Sequence, residues 1–451
     1  MENQMLRATL AQLEKKNLLE TCHVEVDPKY ELGAVLSHFN NEKPIIFKKV
    51  KGSQYPVAGG LFGNREIYYD MMGTTEKDRI TQLMDAVANP KPTKTLPKGP
   101  VMENIITRSI DLQKMFPIPK FHGGDSSSYI TSGVVVLKDP ETGKVHTSVR
   151  RLQMNERNEM SILVASPLAT QQYRGFENQN KPFEVAIILG YDYPFLLASQ
   201  ISSATYGIDK YEVDSALRGE ALELVKCHSV DLEVPAYAEI VLEGIMPPHK
   251  REQEGPFGEL MGYYGNQGSH PIVEVKAVMH RNNPIMQVAF PCREEHLSNG
   301  LAREMELYAY VKNMVDVVDV NVTVSGGCRF HGIVSIKKKS QGDGKSAIIA
   351  ALASSKDMKH VVIVDEDVNI YSHDEIQWAI ATRFQASQDL VMIPGGLGSG
   401  LEPSHTLRGV TDKLGFDATK PLGEAAKYFE RAAIPGFESI DIERYFPQLK
   451  K

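Results

Sequence analysis

Two carboxylates stand five residues apart in Glu254-Gly255-Pro256-Phe257-Gly258-Glu259, a segment that glycine and proline bar from being helical. Little side-chain bulk separates them, so the chain can turn both into one cavity. Carboxylates that share an apolar site separate in proton affinity, which gives one proton donor and one ion. The competing reading is a solvated turn between strands. A second set is Arg150-Arg151-Leu152-Gln153, inside a β-rich run. Neighbours on a strand face opposite sides, so only one of the two arginines can point inward. A buried guanidinium needs an anion, whereas an edge strand would leave both arginines in solvent. A third set is His296, Asn299 and Arg303, which share one face of a helical stretch at spacings i, i+3 and i+7.

These residues need elements to hold them. Met5, Leu6, Leu10 and Leu13 place an amphipathic helix at residues 1–19, and 75–88 reads as another helix. Asn89–Pro100 carries four prolines and must be a connection. From about 101 to 290, short β-rich runs dominate: 129–137, 149–154, 161–166, 184–190, 239–246 and 272–280. Many short strands between turns predict a barrel or sandwich, with 209–221 as its one clear helix. A long helical stretch follows at 294–314. Beyond it, strands and helices alternate, which predicts a smaller α/β domain, with a helix and an extended end from about 422. The units expected are 1–293, a linker helix at 294–318, and 319–451.

The chain has 451 residues, 50 basic and 57 acidic, so the formal net charge is −7. That balance argues against a general nucleic-acid binder. Cys22, Cys227, Cys292 and Cys328 form no CxxC pair, so neither a disulfide framework nor a cysteine zinc site is expected. No secretion-type apolar segment opens the sequence, and no run of 18 uncharged apolar residues occurs, so a cytoplasmic protein without a membrane span is expected. Gly342-Asp343-Gly344-Lys345-Ser346 ends like a phosphate-binding loop, but Lys339 stands where its first glycine belongs. Neither HExxH nor GxSxG occurs.

The sequence resembles the UbiD family, the decarboxylases that depend on prenylated FMN. The resemblance runs in order along nearly the whole chain. It is carried by EGPFGE (254–259), Arg151-Leu152-Gln153, FPIPKFHGGDSSSYIT (116–131), GEALELVKC (219–227), EIVLEG (239–244), GIVSIKKK (332–339) and Leu401-Glu402-Pro403-Ser404. It implies an α+β architecture: an N-terminal α/β portion plus a split β-barrel that binds the flavin, a long linker helix, and a C-terminal α/β oligomerisation domain. It implies a homo-oligomer, dimer or hexamer, served by a separate flavin prenyltransferase. The family's Glu–Arg–Glu triad falls on Glu254, Arg151 and Glu259. Loss of CO₂ from an sp² carbon needs an electron sink, which no side chain offers and a cofactor does. Glu259 is expected to return the proton, and Arg151 to hold Glu254 ionised. Flavin contacts are expected from His146, Ser148, Val149, Arg150, Arg151, Leu152 and Lys210.

Members of the family usually hold the flavin phosphate through a divalent metal, often manganese, on Asn, His and Glu, with potassium nearby. Here the Asn position is His146 and the Glu position is Lys210, while the expected His has no clear place near residues 170–173. A lysine there can put its ammonium directly on the phosphate and make the metal unnecessary. A local slip of alignment would instead bring in Glu212, on the same face if that segment is extended. In the family the start of the linker helix borders the substrate pocket. His296, Asn299 and Arg303 there suit a second carboxylate that does not leave. That favours a dicarboxylate, and the whole resembles the furan-2,5-dicarboxylate decarboxylase branch. Another aromatic or α,β-unsaturated acid is the alternative. A non-catalytic flavin-binding or assembly protein would have no need of all three triad residues.

Overall fold

The computed structural model describes residues 4–139, 142–164, 167–291, 294–405, 407 and 409–446. Its centre is a closed six-stranded antiparallel barrel. Around the barrel run Ile240–Met246, Phe183–Leu189, Tyr129–Lys138, Val145–Met154, Glu159–Ile162 and Gly268–His280, and the last pairs with the first. Tyr129–Lys138 is buried at every position but Lys138 because both of its faces are covered. Val135 and Leu137 join one core with Leu152, Ile187, Leu242 and Val275. Val134 and Val136 join a second core under the helices Tyr193–Gln200 and Lys210–Arg218.

The N-terminal portion packs a helix, Met5–Lys15, and a small sheet onto this barrel. The helix buries Met5, Leu6, Leu10 and Leu13. The sheet orders Glu20–Cys22, Ile45–Phe47, Val57–Gly59 and Met286–Gln287, so the chain returns to its first domain just before the linker helix. The helix expected over 75–88 is shorter, Arg79–Ala88. Thr75 Oγ1 bonds Asp78 and holds the preceding residues as a turn.

The helix expected at 209–221 is Lys210–Arg218, and beyond it the longer helices Pro167–Asn178 and Tyr193–Gln200 and the single turns Leu112–Met115 and Ser203–Tyr206 interrupt the β-rich region. Tyr193–Gln200 is buried on nearly every side, so its sequence lacks the polar face that a 3.6-residue period would reveal. Glu294–Val311 is the linker helix, three residues shorter than the helical stretch expected at 294–314 and seven short of the linker bounds 294–318. Buried Glu304 receives Arg65 and Arg79 from the N-terminal portion and the Val322 amide from the C-terminal sheet, which ties three parts to one carboxylate.

The C-terminal sheet orders Val317–Val322, His331–Ile336, His360–Asp365, Val410–Ala418 and Leu390–Leu397, with helices Asp343–Ser354 and His373–Arg383. The tail carries short 3₁₀ turns and one helical turn instead of a full helix, and leaves Tyr428, Ile434, Phe437 and Tyr445 exposed. No helix among the described residues is long and apolar enough to cross a membrane.

Candidate active site

Arg151 projects from Val145–Met154 toward the loop that follows the strand Arg251–Glu254. Its Nη2 donates to Glu254 Oε2 at 2.8 Å and its Nη1 donates to Glu259 Oε1. The Phe257 ring lies under the guanidinium, 5.1 Å away. One cation therefore stands between two carboxylates. Burial works against its charge, but Glu259 and Glu254 outweigh that and raise its pKa above the ordinary arginine value. The three groups carry a net −1 when both carboxylates are ionised, so one proton brings the trio to neutrality. The Glu254 side chain is fully buried, and its Oε1 finds no hydrogen bond. The Glu259 side chain keeps 15% of its surface exposed. Glu259 is thus the more solvent-accessible of the two carboxyls.

The loop is held by groups remote in sequence. Gly255 adopts φ +87°, a region that strains any L side chain, and its amide donates to Gln153 Oε1 at 2.9 Å. Gln153 also receives Ser126 and Tyr129 hydroxyls and donates to Gln253 O. Buried Asp125 accepts the amides of His122 and Gly258. Glu259 is fixed at its own backbone by Tyr263 O. Gly258 must be glycine, because a Cβ there would lie 2.3 Å from His122 Nδ1. Gln153 and the 116–131 segment stood out in the sequence, but their roles did not: more than 100 residues separate them from the loop they brace.

A second cluster gathers cations. Lys210 is 4% exposed, and its Nζ donates to Thr147 O and Ser199 O, each at 2.7 Å. Burial, with Arg150 acting on it, pushes the ammonium down to about 7. Burial, Lys210 and Arg150 push His146 down to about 3, so its imidazole is neutral, and its Nδ1 meets Ser203 Oγ at 3.3 Å. Burial and Arg329 push Arg150 down to about 10. Ser148 lines a small cavity together with Arg150, Val149 packs on the helix-covered core, and Leu152 is buried in the barrel.

Glu212 does not share the face of Lys210. Both lie on the helix Lys210–Arg218, where two residues turn the chain through roughly 200°. The extended segment that would have aligned them is absent, and Glu212 leaves the candidate metal set. No group of three or more His, Cys, Asp or Glu suited to a metal occurs among the described residues. The cationic cluster fits the phosphate of a flavin; the donor set does not fit a divalent metal.

His296 lies half-buried on the first turn of the linker helix. Asn299 and Arg303 do come together, but Arg303 is engaged within the protein. Its Nε donates to Asn299 Oδ1, its Nη1 to Ser355 Oγ and its Nη2 to Asp357 Oδ2. Arg329, which the sequence reading missed, joins the same Asp357 and Asn299 Oδ1. Burial opposes ionisation of Asp357, but Arg303, Arg329 and Lys356 hold its carboxyl down to about 2.

Models of 3-octaprenyl-4-hydroxybenzoate carboxy-lyase match the chain in three stretches: the N-terminal domain over 10–87, the Rift-related domain over 94–294 and the C-terminal domain over 296–418. The anhydromevalonate phosphate decarboxylase of Methanothermobacter thermautotrophicus is 34% identical over 406 residues, 90% of this chain and 94% of that protein. The structure of the UbiD-class enzyme HmfF from Pelotomaculum thermopropionicum in complex with FMN superposes with a TM-score of 0.95 at 42% identity, covering 98% of this chain and 99% of that one. An evolved dimeric form of HmfF in complex with prFMN gives 0.90 at 40% identity, covering 98% and 100%.

Proposed function

The chain belongs to the UbiD family of carboxy-lyases, and from that premise we propose that it decarboxylates a heteroaromatic acid, furan-2,5-dicarboxylate to 2-furoate and CO₂, with prenylated FMN as cofactor. The observation that carries this reading is the single guanidinium of Arg151 shared by Glu254 and Glu259. Bound prenylated FMN supplies the electron sink that decarboxylation at an sp² carbon requires. The chain's own residues do the rest. His146, Lys210 and Arg150 form the seat for the flavin phosphate. Glu259, the more accessible carboxyl, delivers a proton to the carbon that loses CO₂ and takes another from solvent. Arg151 fixes both carboxyls through charge-assisted hydrogen bonds.

His296, at the start of the linker helix, would face the ring carboxylate that stays. Each step runs backward under high CO₂, so carboxylation of 2-furoate follows; saturating labelled bicarbonate should exchange label into furan-2,5-dicarboxylate. The exposed apolar side chains of the tail and of Leu390–Leu397 support self-association.

A second reading has its own support. Because Arg303 spends its donors on Asn299, Ser355 and Asp357, a monocarboxylic aromatic or α,β-unsaturated acid would need no rearrangement there. One experiment separates the two. Protein co-expressed with a flavin prenyltransferase and purified without oxygen is given furan-2,5-dicarboxylate, beside protein made without the prenyltransferase. Conversion to 2-furoate in the first sample alone supports the dicarboxylate reading. No conversion, with prenylated FMN confirmed by mass spectrometry, rejects it in favour of a monocarboxylic acid.

A further inference from the structure

We propose that this chain binds the flavin phosphate through side-chain cations alone, with the Lys210 ammonium standing where related chemistry would place a divalent metal and potassium. The inference deepens the flavin reading above and rests on it. Lys210 Nζ sits between two backbone carbonyl oxygens, Thr147 O and Ser199 O. Carbonyl oxygens converging on a point are the donors a hard cation takes, and here an ammonium already fills them. It has three N–H donors, and the two carbonyls leave one for an anion.

The surroundings ask for that anion. Among the described residues the Arg150 guanidinium has neither a hydrogen bond nor an ion pair, and Arg329, itself paired with Asp357, still acts on it with its charge. Asp139 is, among the described residues, the carboxylate that acts on His146, and it is engaged by Gln172 and the Thr142 amide. Buried cations without an equal number of anions are costly unless an anionic ligand joins them. A divalent ion in the same place would meet an ammonium and a guanidinium, and among the described residues no carboxylate bonds either of them. Asp209, next to Lys210 in sequence, spends its carboxylate oxygens on the Val145 and Tyr211 amides at the helix start, and Glu212 lies on another side of the helix. A phosphate monoester dianion satisfies Lys210 and Arg150 together through charge-assisted hydrogen bonds.

FMN is the probe, and its binding to the full-length protein is followed by fluorescence quenching in EDTA and again with manganese and potassium chlorides. Flavin-loaded protein is assayed for metal by mass spectrometry. The expected results are equal FMN affinity in both buffers and no stoichiometric manganese in the loaded protein. Lys210→Met should weaken FMN binding about tenfold or more, the scale of one charge-assisted hydrogen bond. Arg150→Gln should do likewise while leaving the Thr147 and Ser199 carbonyls satisfied, so it reports even if Lys210→Met fails to fold. Loss of FMN in EDTA with recovery in manganese overturns the proposal. Wild-type affinity in both variants overturns it as well. A protein that takes up FMN in neither buffer overturns the flavin reading together with it.

Discussion

Gly258→Ala tests whether the loop's path sets the chemistry. The added Cβ would stand 2.3 Å from His122 Nδ1, 2.7 Å from Cε1 and 2.9 Å from Cγ. Comfortable carbon contacts begin at about 3.5 Å, so the overlap is roughly 1 Å. The imidazole has little room to yield. It packs edge-on against Phe290 at 5.4 Å and faces Tyr264 at 6.4 Å, while its backbone amide is tied to Asp125. The loop must give instead, stretching the 2.8 Å bond from the Gly258 amide to Asp125 and moving Glu259, the next residue. A misplacement of about 1 Å costs about a hundredfold in rate, and overpacking costs about 1–3 kcal/mol of stability. The assay is kcat/KM on the anaerobic, prenylated-FMN-loaded enzyme, with flavin content and Tm beside it. Pairing the change with His122→Ala opens the space and should recover activity relative to Gly258→Ala alone. Gly258→Ala with full flavin content and wild-type kcat would refute the reasoning.

Three further outcomes are expected. Glu259→Gln keeps the shape of the carboxyl but cannot cycle a proton, so kcat should fall by about 10²–10⁴ with flavin content unchanged, measured by product chromatography and absorbance. Asp357, held near 2 from an ordinary 3.8, contributes about 2 kcal/mol that is present above pH 4 and lost as pH falls toward 2. In Arg303→Gln that loss should be smaller, read as a flatter change of denaturant midpoint across the same window. Lys210 is cationic below about 7 and neutral above it in the flavin-free protein. FMN affinity should therefore weaken as pH rises past 7, by up to about tenfold per unit, in a titration series.

Much of the site lay open in the sequence because the loop carries its own signal. Two carboxylates among glycines and a proline, and an arginine pair on a strand, are local patterns, and the barrel brings them together. What braces them is not local. Asp125, Gln153 and Tyr129 reach the loop only through barrel closure. Tyr193–Gln200 was hidden because a helix buried on nearly all sides has no periodic contrast. Glu212 was misread for a related reason: two residues share a face on a strand and not on a helix. Arg303 was assigned to a substrate carboxylate because spacing shows a face and not a partner, and Asp357 lies 54 residues away.

Hydrogen–deuterium exchange at the ring position of 2-furoate tests most directly the claim that Glu259, poised by Arg151 against Glu254, moves the proton. Loaded enzyme in D₂O is followed by proton NMR, with Glu259→Gln of equal flavin content beside it. Exchange by the wild-type protein and none above background in the variant is the predicted result. Exchange at the wild-type rate in Glu259→Gln would contradict it.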